Sequence, residues 1–502
     1  MTLRRAPFFL ALTALVAGCT VGPDYERPSA PVSGGYADPG KAPRKAPAAV
    51  PGEGPDHGWW KAFGSADLDS LVDRAMAHNQ SLAASNATLA RARARMEAVA
   101  GKRLPQVDAN ARVERERVNL QAFGFDPASF GSDAGNPEFN LYSVGGGVSY
   151  DLDLFGGNRR ALEQSVAQAE AQRHQTEAAH LVIAGRVVSQ VLTIAAIRER
   201  IATARQIVAE GQRNVRLTEA RRKAGAGTLV EVLSAQGQLA NDQADQPQLD
   251  QQLAEARAML AILVGLSPAE LGPTDFDFAS FTLPAAIPVT IPSLLVRKRP
   301  DILQAEADLH AATAAIGIAT ARLYPNVTLG GTISQGAQQL DGILDADYRG
   351  FDIFAGLTAP IFHGGTLKAN KRGAEAQAQA AAAAYRQTVL DAFGQVSNLL
   401  AALNNDSRSV ATQQQAADIA GRSLRLSRRS FQVGNSGVLQ VLDTSRVYQR
   451  SRLALVEAKA RQFLNVSRLY VATAGGWTGP AGAGEAQAAA TTPEPAAAGK
   501  QP

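Results

Sequence analysis

The sequence predicts an α+β membrane protein whose sheet and long helices are incomplete in one copy and are shared among several. Three patterns predict it. Two very long proline-free stretches carry a seven-residue apolar repeat, short segments alternate apolar and polar residues, and the two halves echo one another in order.

No proline occurs from Asn158 to Lys223, and none from Thr366 to Val433. At about 1.5 Å per residue, a helix over either stretch is on the order of 100 Å long, far beyond a globular helix. In the first, Val187, Ile194, Ile201, Val208 and Val215 recur at sevens, with Ile183 and Ile197 on a neighbouring row. In the second, Val389, Val396, Val410, Ala417, Leu424 and Phe431 keep the same beat, with Tyr385, Ala392, Leu399 and Ala420 beside them. A sustained period of about 3.5 residues predicts left-handed coiled-coil packing. Partner helices are predicted over 228–264 and 438–474, with Pro247 kinking or breaking the first. The turns between them are Gly225-Ala226-Gly227 and Gly434-Asn435-Ser436-Gly437, where glycine accepts the left-handed backbone that stops a helix. Periodicity alone also fits a pair of soluble coiled-coil hairpins.

The strands speak against that simpler reading. Tyr142 to Leu154 places Tyr142, Val144, Gly146, Val148, Tyr150, Leu152 and Leu154 on one face. Ser143, Gly145, Gly147, Ser149, Asp151 and Asp153 lie on the other, the two acids expected to face a lumen or a neighbouring strand. Weaker alternation runs over 106–118, 326–335 and 351–362, the last with Phe351, Ile353, Ala355, Leu357, Ala359 and Ile361 on one face. Each is long enough to cross a bilayer when tilted, between lipid and a watery lumen. Taken alone, any one reads equally as a half-buried strand of a soluble sheet. Four strands cannot close a barrel, for which about eight are needed. An open edge in lipid leaves amides and carbonyls unpaired, at several kcal/mol each. Strands that cross a membrane must therefore be pooled among copies, as long rods with apolar seams must be.

The halves correspond. Leu104-Pro105-Gln106-Val107 matches Tyr324-Pro325-Asn326-Val327, and Phe155-Gly156-Gly157 matches His363-Gly364-Gly365. Ala224-Gly225 followed by Val230-Glu231-Val232-Leu233 matches Val433-Gly434 followed by Leu439-Gln440-Val441-Leu442. This is a tandem duplication. At the N-terminus, Arg4 and Arg5 precede an apolar run, Ala6 to Val16, that is too short to span a bilayer. It ends in Val16-Ala17-Gly18-Cys19, which resembles a bacterial lipobox, so Cys19 is the expected lipidation site; an ordinary secretory signal with an incidental cysteine is the alternative. Thr20 after it resembles a signal for export to the outer membrane. The expected division is a signal peptide over 1–18, anchor and Pro-rich tether over 19–58, a first repeat over 59–264, and a linker over 265–298. A second repeat follows over 299–477 and a disordered tail over 478–502.

Composition bounds the chemistry. The charge of +4 falls to about +2 once Arg4 and Arg5 leave with the signal, too little to predict nucleic-acid binding. Cys19 is the single cysteine, which excludes an internal disulfide and a multi-cysteine metal site. His174 and His180 are six apart, off one helical face, and His363-Gly364-Gly365-Thr366-Leu367-Lys368 lacks phosphate-loop spacing. No nucleophile constellation or carboxylate pair stands out. No cofactor, no metal and no enzymatic activity are expected, and energy for transport must come from a partner. After residue 19 no eighteen consecutive residues are apolar, so a membrane crossing must be by barrel.

An ordered set of motifs carries a resemblance. It runs through Cys19-Thr20-Val21-Gly22-Pro23-Asp24-Tyr25, Trp59-Trp60-Lys61-Ala62-Phe63, Leu104-Pro105 and Asp151-Leu152-Asp153-Leu154-Phe155-Gly156-Gly157. It continues through Arg299-Pro300-Asp301-Ile302, Ala315-Ile316-Gly317-Ile318-Ala319, Pro360-Ile361-Phe362-His363-Gly364-Gly365 and Gly475-Gly476-Trp477. Over roughly residues 19 to 477 the chain resembles TolC-type outer-membrane efflux proteins, in the lipoprotein branch of OprM- and NodT-type factors. The resemblance implies a TolC-like homotrimer in the outer membrane of a Gram-negative cell. Four strands from each protomer would make a twelve-stranded barrel, and the long helices a periplasmic coiled-coil barrel. It implies that the hairpin tips, around Gly225, Gly227, Gly434 and Gly437, meet a periplasmic adaptor. That adaptor would link them to an inner-membrane transporter, commonly a proton-driven pump of the RND type. The function so implied is a passive exit duct for small molecules such as drugs, toxic compounds or metals; the exit duct of a type I protein secretion system is the alternative.

The helix ends near the tips are basic, with Arg213, Arg216, Arg221, Arg222 and Lys223 in one hairpin and Arg422, Arg425, Arg428 and Arg429 in the other. Arginines on a solvated face that favour helix C-termini explain this. The functional expectation is that Arg425 or Arg428 lines a closed mouth and repels its counterparts.

Overall fold

The computed structural model describes residues 20–29, 35–36, 48–52, 54–55, 58–119, 138–272 and 274–473. Cys19, the signal peptide and the Gly475-Gly476-Trp477 motif lie outside them. In chain order come β1 (Ala48–Gly52), a 3-10 turn (Trp59–Phe63), α1 (Ala66–His78), α2 (Gln80–Gly101), β2 (Gln106–Arg117), β3 (Glu138–Asp151) and α3 (Gly157–Lys223). Then follow α4 (Leu229–Leu263), α5 (Pro268–Leu271), β4 (Ala286–Thr290), α6 (Pro292–Lys298) and α7 (Pro300–Ala321). The last elements are β5 (Asn326–Ala337), β6 (Arg349–Thr358), α8 (Thr366–Gln432) and α9 (Val438–Thr473). The described residues fall into two units, one holding residues up to 27, 90–170 and 306–384, the other holding 28–89, 171–305 and the chain from 385.

The first unit contains one antiparallel sheet in the order β2-β3-β5-β6, so the central pair joins a strand from each repeat. The register places Val107, Ala109, Ala111 and Val113 of β2 opposite Val148, Gly146, Val144 and Tyr142 of β3. Leu329, Gly331 and Ile333 of β5 then sit opposite Ala355, Ile353 and Phe351 of β6, which puts these side chains on one apolar face. That face ends abruptly: on the same parity come Arg115 and Arg117 opposite Asn140 and Glu138, and Gln335 opposite Arg349. The apolar face is most exposed on the outer strands, with Val107 77% and Ile353 83% exposed. The opposite face carries Asp108, Asn110, Ser143, Thr332, Ser334 and Asp352, with the Phe354 ring lying over Gly330 where a Cβ would collide.

Two strands end earlier than alternation suggests. β6 stops at Thr358, so Ala359, Ile361 and Phe362 are not strand residues; Pro360 removes the ladder N–H and restricts its predecessor. β3 stops at Asp151, and Asp153 takes φ 47° instead of continuing the ladder.

In the second unit, α8 buries its seam at Val389, Val396, Ala417, Leu424 and Phe431, and Leu403 fills the heptad position between Val396 and Val410. On α3 the row holds through Val187, Ile194 and Ile201, then moves back one residue. Ile207, Asn214 and Thr218 are buried there, whereas Val208 and Val215 are half-exposed. The aromatic cluster lies where Trp59 stacks on Tyr470 at 5.4 Å and Phe63 packs between Phe463 and Tyr470. One eighteen-residue window of α3 has the mean hydropathy of a membrane span, 1.7, but 61% of it is buried within the protein, as a core helix would be.

Two expectations are corrected in this unit. Pro247 neither ends nor interrupts α4. It and Gln243, whose carbonyl loses its helical donor, are both exposed, so water can take the orphan acceptor. The Pro-rich stretch is not a free tether throughout, because β1 pairs in parallel with β4 from Ala48 opposite Ala286 to Gly52 opposite Thr290.

Candidate functional site

Three places carry the features from which function is read: the sheet, the strand-to-helix junction beneath it, and the hairpin tips. At the junction, the Asp-Leu-Asp-Leu-Phe-Gly-Gly motif turns β3 into α3. Asp153 is expected to face a lumen or a strand; instead its carboxylate accepts the N–H groups of Asn158 and Arg159, both at 2.8 Å. It thereby satisfies orphan donors at the start of α3 with a favourable charge. Asp151 holds the turn by accepting the Asp153 N–H at 2.9 Å and the Asn326 side chain of β5 at 3.2 Å. Phe155 stacks on Tyr324 at 4.6 Å, and Gly156 takes φ 75°.

The residues after Cys19 dock on this same turn. The Val21 N–H donates to Phe155 O at 3.2 Å, and a Cβ on Gly156 would meet Thr20 at 2.7 Å. Arg160, 4% exposed, donates to the Val21 and Gly22 carbonyls at 3.3 and 3.4 Å and to Asp24 at 2.7 Å. It also donates to Glu163 at 2.7 Å, and Glu163 in turn bonds His310 at 3.0 Å, on whose ring Tyr25 stacks at 4.3 Å. Arg27 pairs with Glu306 at 2.7 Å. Three separate motifs thus meet: the arm after Cys19, the turn at 151–157, and Gly317 of α7. Sequence reasoning named these motifs but not Arg160, Glu163 or His310 as their link. The one available signal was a charged residue just after a Gly-Gly turn.

Both hairpins close with the same turn. Gly225 has φ 74° and Gly434 φ 83°. Ala226 N–H donates to Arg221 O at 2.9 Å and Gly225 N–H to Arg222 O at 3.0 Å, while Asn435 and Gly434 repeat the pair with Ser430 and Phe431 at 2.9 and 3.1 Å. This is a Schellman motif in duplicate. Gly227 and Gly437 follow outside the left-handed region. Thr228 and Glu231 then form a capping box at the start of α4. Leu229, Val230 and Leu233 of one tip and Val433 and Leu439 of the other are exposed. Arg221 ties the hairpins together, donating to Phe431 O at 2.7 Å with its guanidinium over that ring at 4.5 Å.

The two gate candidates sit in unlike settings. Arg428 is ion-paired with Glu210 of α3 at 3.0 Å. Arg425 is exposed and lines a cleft of about 260 Å³ with Asp418, Arg422, Tyr448 and Arg452.

A family model described as outer membrane efflux protein matches residues 71–266 and 291–475, one stretch in each repeat. The chain is 31% identical over 419 residues to the pyoverdine export outer membrane protein OpmQ of Pseudomonas aeruginosa, covering 84% of this chain and 87% of that one. It is 27% identical over 492 residues to the toluene efflux pump outer membrane protein TtgC of Pseudomonas putida, covering 97% and 98%. Its fold matches the solved outer-membrane channel OprN with a TM-score of 0.81 at 28% identity, over 91% of this chain and all of that one. Both curated relatives are named for efflux or export of a compound, pyoverdine in one and toluene in the other.

Proposed function

The chain belongs to the outer membrane efflux protein family, and from that premise we propose that it is one protomer of a homotrimeric exit duct in the outer membrane of a Gram-negative cell. One observation carries the reading: among the described residues β2 and β6 are the outer strands of the sheet, each paired on one side only, beside an apolar face on which Val107, Val113, Phe351 and Ile353 are largely exposed. In lipid such edges each leave a row of backbone groups unsatisfied, and closure with other copies removes them. Three protomers would supply twelve strands. A second support is Ile419 and Leu426, exposed seven residues apart on α8, a seam fit for a neighbouring copy.

In this reading Cys19 is lipidated and the hairpin tips around Gly225, Gly227, Gly434 and Gly437 meet a periplasmic adaptor. The exposed leucines and valines of the tips give such a partner apolar purchase. An inner-membrane transporter of the RND type supplies the energy, and the cargo is small molecules. Detergent fractionation of membranes in sarkosyl followed by a heat-modifiable gel tests it. The chain should remain with the outer membrane and shift mobility on boiling; release with inner-membrane or soluble proteins would contradict the duct.

A further inference from the structure

We infer that Arg160 is the positioning residue of a seat that fixes the lipid-bearing end of the chain against the strand-to-helix turn. The inference rests on the reading that Cys19 carries lipid. A loose segment over residues 20–58 could let the anchor roam on the order of 130 Å from the body. The docked arm removes that freedom. Thr20 already touches the turn at Gly156, so residue 19 follows one peptide bond later.

Arg160 is the hub of the seat. Its planar fork serves two carbonyls of the arm, Asp24 and Glu163 together, which the point charge of a lysine does not reproduce. Its location argues that it is there for the arm. A cation in the first turn of α3 opposes the helix dipole, and a nearly buried guanidinium is tolerated only when its donors are taken. Backbone space has been cleared for the contact: a Cβ on Gly317 would meet the Arg160 stem at 2.7 Å, and one on Gly22 would meet Gly317 Cα at 2.5 Å. Tyr25 on His310 and Arg27 on Glu306 extend the hold along α7. The seat therefore holds Thr20, the residue after Cys19, against the turn at the end of the sheet.

The test uses the full chain purified from outer membranes, with a nitroxide at Glu26→Cys, an exposed arm residue, and mass analysis of the N-terminal fragment for acyl groups. With Arg160 intact, the fragment is acylated and the spectrum is largely immobilised. Arg160→Met should keep acylation yet raise the mobile fraction at least fivefold, with Arg160→Lys in between. Arg160→Met that stays as immobile as its parent, normally acylated, overturns the seat. Should Arg160→Met fail to fold, the double variant Asp24→Ala with Arg27→Ala decides, since it acts from the arm side and the Asp24 side chain is 91% exposed. Unchanged immobilisation there overturns the seat as well. An unacylated Cys19 in the parent overturns the anchoring reading instead, and is told apart because mass and not mobility reports it.

Discussion

Asp153 combines a backbone demand and a charge demand at one residue. Its φ of 47° is tolerated better by Asp or Asn than by other side chains, and its carboxylate caps α3. Asp153→Ala loses the cap and keeps the strained backbone, which predicts a loss of about 1–3 kcal/mol. Asp153→Asn should lose less. Thermal midpoints of the two purified variants check the order, and equal midpoints would remove the cap from the account. At the tips, Arg425→Ala should shift ion preference toward cations in single-channel recordings, while Arg428→Ala acts by freeing Glu210 from its partner. Unchanged conductance and preference in Arg425→Ala would end its gating role. At this scale the sequence is least informative. Asp151-Leu152-Asp153 continues an alternating pattern, and nothing in a two-residue period says that the chain leaves the ladder there. Arg428 reads as one of a basic run because Glu210 lies 218 positions away.

The strands make the sharpest contrast among elements. Ile353 and Ser334 lie on opposite faces of one sheet. Arginine at Ile353 faces lipid and should cost about 2–4 kcal/mol if the site is at the bilayer midplane. Arginine at Ser334 should leave insertion intact and alter conductance. Outer-membrane yield and channel recordings separate the two, and equal losses of yield would contradict the assignment of faces. Among helices, Leu426→Glu, at a residue 69% exposed in the protomer, should weaken assembly while leaving helix content unchanged. Intact assembly of that variant would remove this seam from the interface. Element type was legible because long proline-free heptads and short alternations are strong, dense signals. Boundaries were less so: alternation carried past Pro360, and strict sevens carried past Ile201, where the buried row moves to Ile207 and Asn214. Of the kink or break expected at Pro247, the break does not occur, because a proline on an exposed helical face does not have to stop the helix.

At the scale of the molecule, duplication is the organising fact. Two repeats each supply two strands and a long hairpin, and the β3–β5 pairing fuses them into one sheet with two open edges. Both hairpins end in the same glycine turn, yet the contacts that join them are not duplicated: Arg221 donates to Phe431 O, and Arg428 pairs with Glu210. Closure cannot be completed within one chain of four such strands. The most direct test is the copy number of the conducting particle, read by native mass analysis of detergent-solubilised protein alongside bilayer recordings. Three chains of this sequence in each pore-forming particle is the predicted result. A properly folded particle of a single chain that conducts on its own would contradict it.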